Sequence, residues 1–216
     1  QREKYNSDIT ILEKKKQERK LKRSVSVEKG SRSATWGKVM EGYVFDMLFD
    51  PDYELQSTET HLHTKHGEFW SGSPDLVAPN KIGDIKCFEP YEFSLLADTI
   101  EAKDSELLKT RKPDIYWQLL SNAHIMGVKK VEIVLFMPYE TELGQIMDYI
   151  DNLDSDNPFA YKFISDAIFN NQIDELPYLP INSDYKNLNR FEFEVNQDDM
   201  DLLEERIILA NEVLNK

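Results

Sequence analysis

Apolar residues recur first at helical and then at strand spacing along this chain. Trp36, Met40, Tyr43 and Met47 fall three or four apart, which predicts a helix over about 33–48, stopped by Asp50-Pro51-Asp52. The period then changes, and 53–63, 68–77 and 82–88 predict three short strands with turns at Lys65-His66-Gly67 and Ala78-Pro79-Asn80. Helices are predicted over 93–109 and 113–126, with Pro113 suited to the first turn of the second. Val-Glu-Ile-Val-Leu-Phe-Met over 131–137 reads as a buried strand ended by Pro138. Helices near 142–152 and 158–169, a polar loop, a strand over 190–195 and a closing helix over 198–214 complete the chain. Ahead of all this, 8–23 reads as a helix too polar to be core, followed by a linker over 24–33. The order predicts an α/β fold with a mixed central sheet: a helix, a three-stranded antiparallel meander, helices, a strand, and a C-terminal strand and helix. It divides into a basic helical arm and linker (1–30), a core (31–138) and an acidic helical extension packed on the core (139–216).

Composition narrows the class. With 216 residues, 40% hydrophobic and 31% charged, the chain has a globular balance. No apolar run approaches the ~20 residues of a membrane helix, no secretory signal is read at the N-terminus, and the single Cys87 excludes an internal disulfide framework. A cytoplasmic, reducing setting is the expectation. A net charge of -14 argues at first against a nucleic-acid partner. The charge is unevenly spread, however: residues 1–38 hold 12 Lys and Arg against 5 Asp and Glu, so a basic arm precedes an acidic body.

Candidate chemistry concentrates in Ser73-Pro74-Asp75-Leu76-Val77 and, after a tight turn, Gly83-Asp84-Ile85-Lys86-Cys87. Residues two apart on a strand share a face, so Asp84 and Lys86 project together while Ile85 and Cys87 face the other layer. A hairpin would bring Asp75 beside them. Two carboxylates buried together need a counter-charge, and a hard cation such as Mg²⁺, which takes oxygen ligands and keeps several waters, fits that need. Lys86 could then serve the attacking water or the phosphate.

This arrangement, Pro74-Asp75 followed by Asp84-Ile85-Lys86, resembles the PD-(D/E)XK nuclease superfamily. Three neighbours extend the resemblance. Glu41 lies on the preceding helix on a stripe with Gly37, Val44 and Leu48; Tyr116-Trp117-Gln118 opens a later helix; and that helix leads into the strand over 131–137. Over about 31–138 the chain looks most like the lambda-exonuclease-like, YqaJ-type viral recombinase branch. The resemblance implies a restriction-endonuclease-like core and a metal-dependent exonuclease on duplex DNA ends, used in phage or prophage recombination. It also implies Mg²⁺, for which Mn²⁺ can substitute, a ring-shaped homo-oligomer and a single-strand annealing protein as partner. Carried over, Asp75, Asp84 and the Ile85 carbonyl would ligate the metal, with Glu41 binding it directly or through water. Lys86 would serve the nucleophile, Gln118 would steady it or the lysine, and Ser31, Arg32 and Ser33 would lie near DNA phosphate. Asp84 stands where the last motif usually has Glu.

Other readings stay open at this point. A site- or structure-specific endonuclease would use the same fold, and a non-catalytic DNA- or protein-binding module would combine the acidic body with the basic arm. His61, His63 and His66 raise zinc, but no further ligand follows at a familiar spacing and the segment reads as an exposed strand.

Overall fold

The computed structural model describes residues 17–23, 31–153 and 161–214. The chain divides into two compact units, one formed by 1–47, 86–98 and 135–189 and the other by 48–85, 99–134 and 190–216. Residues 8–16 of the expected polar helix, the segment 24–30 and the expected helix start at Pro158 lie outside the described residues.

In the first unit, α1 (Ser31–Leu48) buries Trp36 and Met40 of the predicted stripe together with Val39 and Val44, while Tyr43 and Met47 are half-buried. It begins two residues earlier than expected, so Ser31, Arg32 and Ser33 form its first turn rather than a linker. The ring of Tyr43 packs on Phe136 and edge-on against Tyr149 of α5 (Leu143–Asp151). A Cβ at Gly42 would meet the Tyr149 hydroxyl, so that ring would have to shift to admit one.

Residues 17–21 are helical, but the expectation that this segment is too polar to be core is overturned. Leu21 is fully buried, and Gln17 nearly so. The Asp98 carboxylate accepts from Gln17 Nε2 (3.0 Å), Lys20 Nζ (2.7 Å) and the Tyr185 hydroxyl (3.0 Å). Burial pushes this carboxyl up, yet those hydrogen bonds more than offset it and hold it below its usual range. Arg23 donates to the carbonyls of Tyr178 and Asp174 and lies over the Tyr178 ring.

The second unit holds most of a mixed sheet. The predicted strands over 53–63 and 68–77 are each broken. β1 (Glu54–Leu55) is followed by a turn through Gln56–Glu59, then by β2 (His61–Leu62) and β3 (Ser71–Gly72), which pair as a separate two-stranded sheet. The chain then returns as β4 (Leu76–Ala78) and β5 (Lys81–Lys86). The central sheet has the order β1-β4-β5-β6-β7, with β6 at Lys130–Phe136 and β7 at Leu188–Glu194. β1, β4 and β5 form the expected antiparallel meander.

Between β5 and β6 the single helix expected over 93–109 is two, α2 (Pro90–Glu101) and α3 (Ser105–Arg111). Lys103 takes a left-handed φ of 53°, and the Asp104 side chain then caps α3 by accepting from the Glu106 and Leu107 amides. α4 (Pro113–Met126) starts with proline and closes on Gly127, whose φ of 67° favours glycine. After α5 come α6 (Lys162–Phe169) and, beyond β7, α7 (Gln197–Leu214). Asp199 near the start of α7 accepts from Lys109 Nζ (2.7 Å) and from the Tyr116 hydroxyl (2.8 Å), tying α7 to α3 and α4.

One charged network braces the sheet. Glu132 on β6 is only 3% exposed. Its carboxylate accepts from Arg190 Nε (2.6 Å) and Nη2 (3.0 Å) and from the Tyr53 hydroxyl (2.7 Å), with Lys81 Nζ 3.6 Å away. Arg190 also reaches Asp50 at 3.3 Å. Burial alone would raise the Glu132 carboxyl, but the donors from Arg190 and Tyr53 hold it below its ordinary value. Burial and this acceptor push the Tyr53 phenol up.

Candidate active site

The β4–β5 hairpin sets the geometry. Its register pairs Leu76 with Gly83 and Val77 with Ile82, so one further step puts Asp75 across from Asp84. Asp75 itself is a bend just before β4, and its carbonyl accepts the Gln56 amide at 2.8 Å on the β1 side. The backbone amide of Ile85 donates to Asp75 Oδ2 at 2.7 Å, which fixes that carboxylate against β5 one residue past Asp84. Asp84 is almost wholly buried at 1% exposure, with Gln118 Nε2 of α4 at 3.5 Å from its Oδ1. Asp75 is half-buried and Gln118 exposed.

Lys86 ends β5, half-buried, between buried Ile85 and buried Cys87. Within the first unit, α1 passes close to this point: a Cβ built at Gly37 would sit 3.9 Å from the Cys87 carbonyl oxygen. Glu41, half-buried, follows Gly37 one turn along α1. Arg32 pairs with Glu175 (3.1 Å) and lies over Phe163, and the Ser33 hydroxyl donates to Glu89 (2.8 Å). Thus Asp75, Asp84, Ile85 and Gln118 meet within the second unit, while Glu41, Lys86, Arg32 and Ser33 belong to the first.

The donor set suits a hard cation. Two carboxylates at the β4–β5 hairpin, with the Ile85 carbonyl on the backbone directly after Asp84, offer oxygen only, which favours Mg²⁺ or Mn²⁺ over softer metals. A carboxylate as deeply buried as Asp84 is costly without compensating charge or hydrogen bonds, and a divalent ion supplies charge.

The zinc reading of the histidines changes in one respect. β2 is exposed at Leu62, as expected of the segment, but His63 just beyond it is only 5% exposed, and its ring meets residues far along the chain: Nε2 lies 3.1 Å from His124 Nδ1 on α4, whose own Nε2 is 3.5 Å from Glu204 of α7. Spacing could not reveal these partners, 61 and 141 residues away. The one local signal is a polar ring at His124, four residues after buried Leu120.

Among solved structures, the fold is similar to that of an alkaline exonuclease, LHK-Exo, from Laribacter hongkongensis. The TM-score is 0.52 at 12% identity, covering 87% of this chain and 71% of that one. LHK-Exo in complex with dAMP matches with a TM-score of 0.50 at 13% identity, over 85% and 70% of the two chains. A phage-related exonuclease from Haemophilus somnus 129PT matches with a TM-score of 0.49 at 18% identity, over 86% and 71%. No family model matches the chain, and no curated protein matches it by sequence. At such identities the likeness is one of fold, and it is the α/β nuclease-like fold that the sequence resemblance implied.

Proposed function

We propose that this chain is a divalent-metal-dependent deoxyribonuclease that hydrolyses duplex DNA from its ends. The observation that carries the reading is the Asp75 carboxylate held by the Ile85 amide at 2.7 Å, one ladder step across from buried Asp84, with Lys86 next on the same strand. Support also comes from the fold shared with an alkaline exonuclease.

In this reading Asp75, Asp84 and the Ile85 carbonyl hold Mg²⁺, and Glu41 adds a carboxylate directly or through water. Bound there, the ion would supply Lewis acidity at the phosphate and a water of lowered pKa. Lys86 positions the attacking water and offsets charge developing on the phosphoryl oxygens. Gln118 steadies the Asp84 carboxylate from α4. Ser31, Arg32 and Ser33, at the start of α1, supply phosphate contacts, and the basic arm adds sequence-independent attraction for DNA. A role in phage or prophage recombination, in the cytoplasm and beside a single-strand annealing protein, and action as a homo-oligomer, follow the same resemblance. No described helix is long and apolar enough to cross a membrane.

The test compares linear and covalently closed circular duplex DNA in Mg²⁺ and in excess chelator. Mg²⁺-dependent loss of the linear substrate alone is the expected result. Cleavage of the circle would mark an endonuclease, and full activity in chelator would refute the metal site.

A further inference from the structure

The β2–β3 hairpin leads from β1 to Asp75, and a chain of side-chain hydrogen bonds fastens it to α4 and α7. The turn closes on itself: the His63 amide donates to the Trp70 carbonyl (3.0 Å), and the Trp70 amide to that of His66 (2.8 Å). Inside it, His63 Nδ1 accepts from the backbone amides of His66 (3.1 Å) and Lys65 (3.3 Å). A nitrogen that accepts two N–H groups carries no proton, so the ring proton of neutral His63 is on Nε2. Nε2 therefore donates to His124 Nδ1 at 3.1 Å. The His124 proton is then on its own Nε2, which lies 3.5 Å from Glu204 Oε2, while Glu204 Oε1 faces His66 Nε2 at 3.2 Å. The His63 ring also stacks on Trp70 (4.4 Å between centroids), whose indole N–H donates to Ser121 of α4 at 2.9 Å.

Ligand atoms of His63, His124 and Glu204 lie within 4.8 Å of one another, close enough to suggest Zn²⁺. The proton order argues against it. A metal-bound imidazole donates from its other nitrogen, but the other nitrogen of His63 already faces two amide donors. Metal on Nε2 would leave that ring with no proton at all, or break both turn hydrogen bonds.

We propose instead that His63, His66, His124 and Glu204 form an acid-labile latch, which fastens the β2–β3 hairpin to α4 and α7 at neutral pH and releases it when His63 takes up a proton. The added proton must go to Nδ1, where it meets two amide donors. The charged and titratable groups facing His63 are Lys65 and His66 on its own turn, His124 on α4 and Glu204 on α7. Burial first, then His124, His66 and Lys65, disfavour the imidazolium, while Glu204 alone favours it, so His63 titrates below its ordinary value. In the released turn it regains that value, so proton uptake drives release. Gly72 of β3 passes against Asn122 of α4 with no room for a Cβ, and Asp75 follows three residues later. Release thus loosens the strand that carries Asp75. The latch itself does not depend on the nuclease reading.

The experiment is nitrogen NMR of the full chain labelled at histidine and tryptophan, titrated with acid and, separately, with Zn²⁺. His63 and His124 should both carry their proton on Nε2 at neutral pH. Slow solvent exchange of the Trp70 indole proton should be lost together with His63 protonation, below the pH at which an exposed imidazole titrates, while helical circular dichroism persists. His63→Asn keeps an acceptor near Nδ1 but cannot titrate, and should abolish this acid step. A proton on His63 Nδ1 at neutral pH overturns the latch, as does an unchanged acid step in His63→Asn. Binding of one Zn²⁺ per chain that shifts both rings would instead establish a metal site; the wild-type spectra decide the matter even if the variant does not fold.

Discussion

Replacing Arg190 with methionine should destabilise the protein severely without touching any residue of the candidate site. The change removes both guanidinium hydrogen bonds to Glu132, at 2.6 and 3.0 Å, and the 3.3 Å hydrogen bond to Asp50. Glu132 is 3% exposed and remains ionised at pH 7 in the wild type. Stripping one partner from a buried ion pair costs roughly 3–5 kcal/mol, because the other charge is left uncompensated. Here the Tyr53 hydroxyl at 2.7 Å and Lys81 at 3.6 Å remain, so the lower end, ~3 kcal/mol, is expected. For a chain of this length each kcal/mol moves the melting temperature by about 2–4 °C, which gives a fall of about 6–12 °C. The sign with pH is specific. In the wild type the Glu132 pKa is depressed, so its contribution is present above the ordinary carboxylate value and lost as pH falls through the lower, folded one. In Arg190→Met burial raises that pKa, so the penalty grows as pH rises past the ordinary value. The gap between the two proteins should therefore narrow from pH 7 to pH 4.5, while the acid response of His63, common to both, cancels. Thermal unfolding followed by circular dichroism at both pH values measures this. A gap under about 2 °C at pH 7, or one equally wide at pH 4.5, would refute the assignment of Glu132 as a buried, paired carboxylate.

Four further outcomes are expected. Lys86→Ala should lower cleavage by roughly 10²-fold or more while metal-dependent DNA binding persists, and Asp75→Asn should lose both metal binding and cleavage; gel assays paired with calorimetric metal titration separate the two. Mg²⁺ or Mn²⁺ should support cleavage and Ca²⁺ should bind without supporting it, and any of them at a hundredfold excess over its Kd should stabilise the fold by ~2.7 kcal/mol, read as a rise in melting temperature. Deleting residues 1–29 should destabilise the protein, since burying a leucine such as Leu21 is worth about 1.5–3 kcal/mol and Asp98 is deprived of two donors; an unchanged melting temperature would refute this. Replacing Lys14, Lys15 and Lys16 with glutamine should weaken DNA binding and flatten its salt dependence, by a slope of about 0.9 for each phosphate no longer neutralised.

How much of this was legible follows from the range of the interactions. The α1 stripe, the β6 apolar run and the proline start of α4 each carry their signal within one element, and all three form close to where the pattern puts them. The opposition of Asp75 and Asp84 was readable because the short turn between β4 and β5 sets their register. The break at Lys103 was not, since a lysine in left-handed backbone leaves no mark in the hydrophobic period. Two-residue strands such as β1 and β2 are defined by what they pair with rather than by local alternation. Glu132 and Arg190 lie 58 residues apart and Gln17 and Asp98 81 apart, so tertiary packing alone brings them together. That is also why a lysine-rich segment read as too polar to be core contributes a fully buried leucine.

The interleaving of the two compact units bears on how the chain is made. Each unit draws on three separated stretches, the first ending at residue 189 and the second at 216. During synthesis neither can close when only residues 1–134 have left the ribosome, because 135–189 and 190–216 complete them. Domains built from consecutive sequence fold one after another as they emerge; here α1 waits for residues 135–189 and the β4–β5 hairpin for residues 190–216. Long-range closure of this kind slows folding and lengthens the exposure of apolar strands such as β6. A premature stop shortly before residue 135 would therefore forfeit both units rather than release one intact.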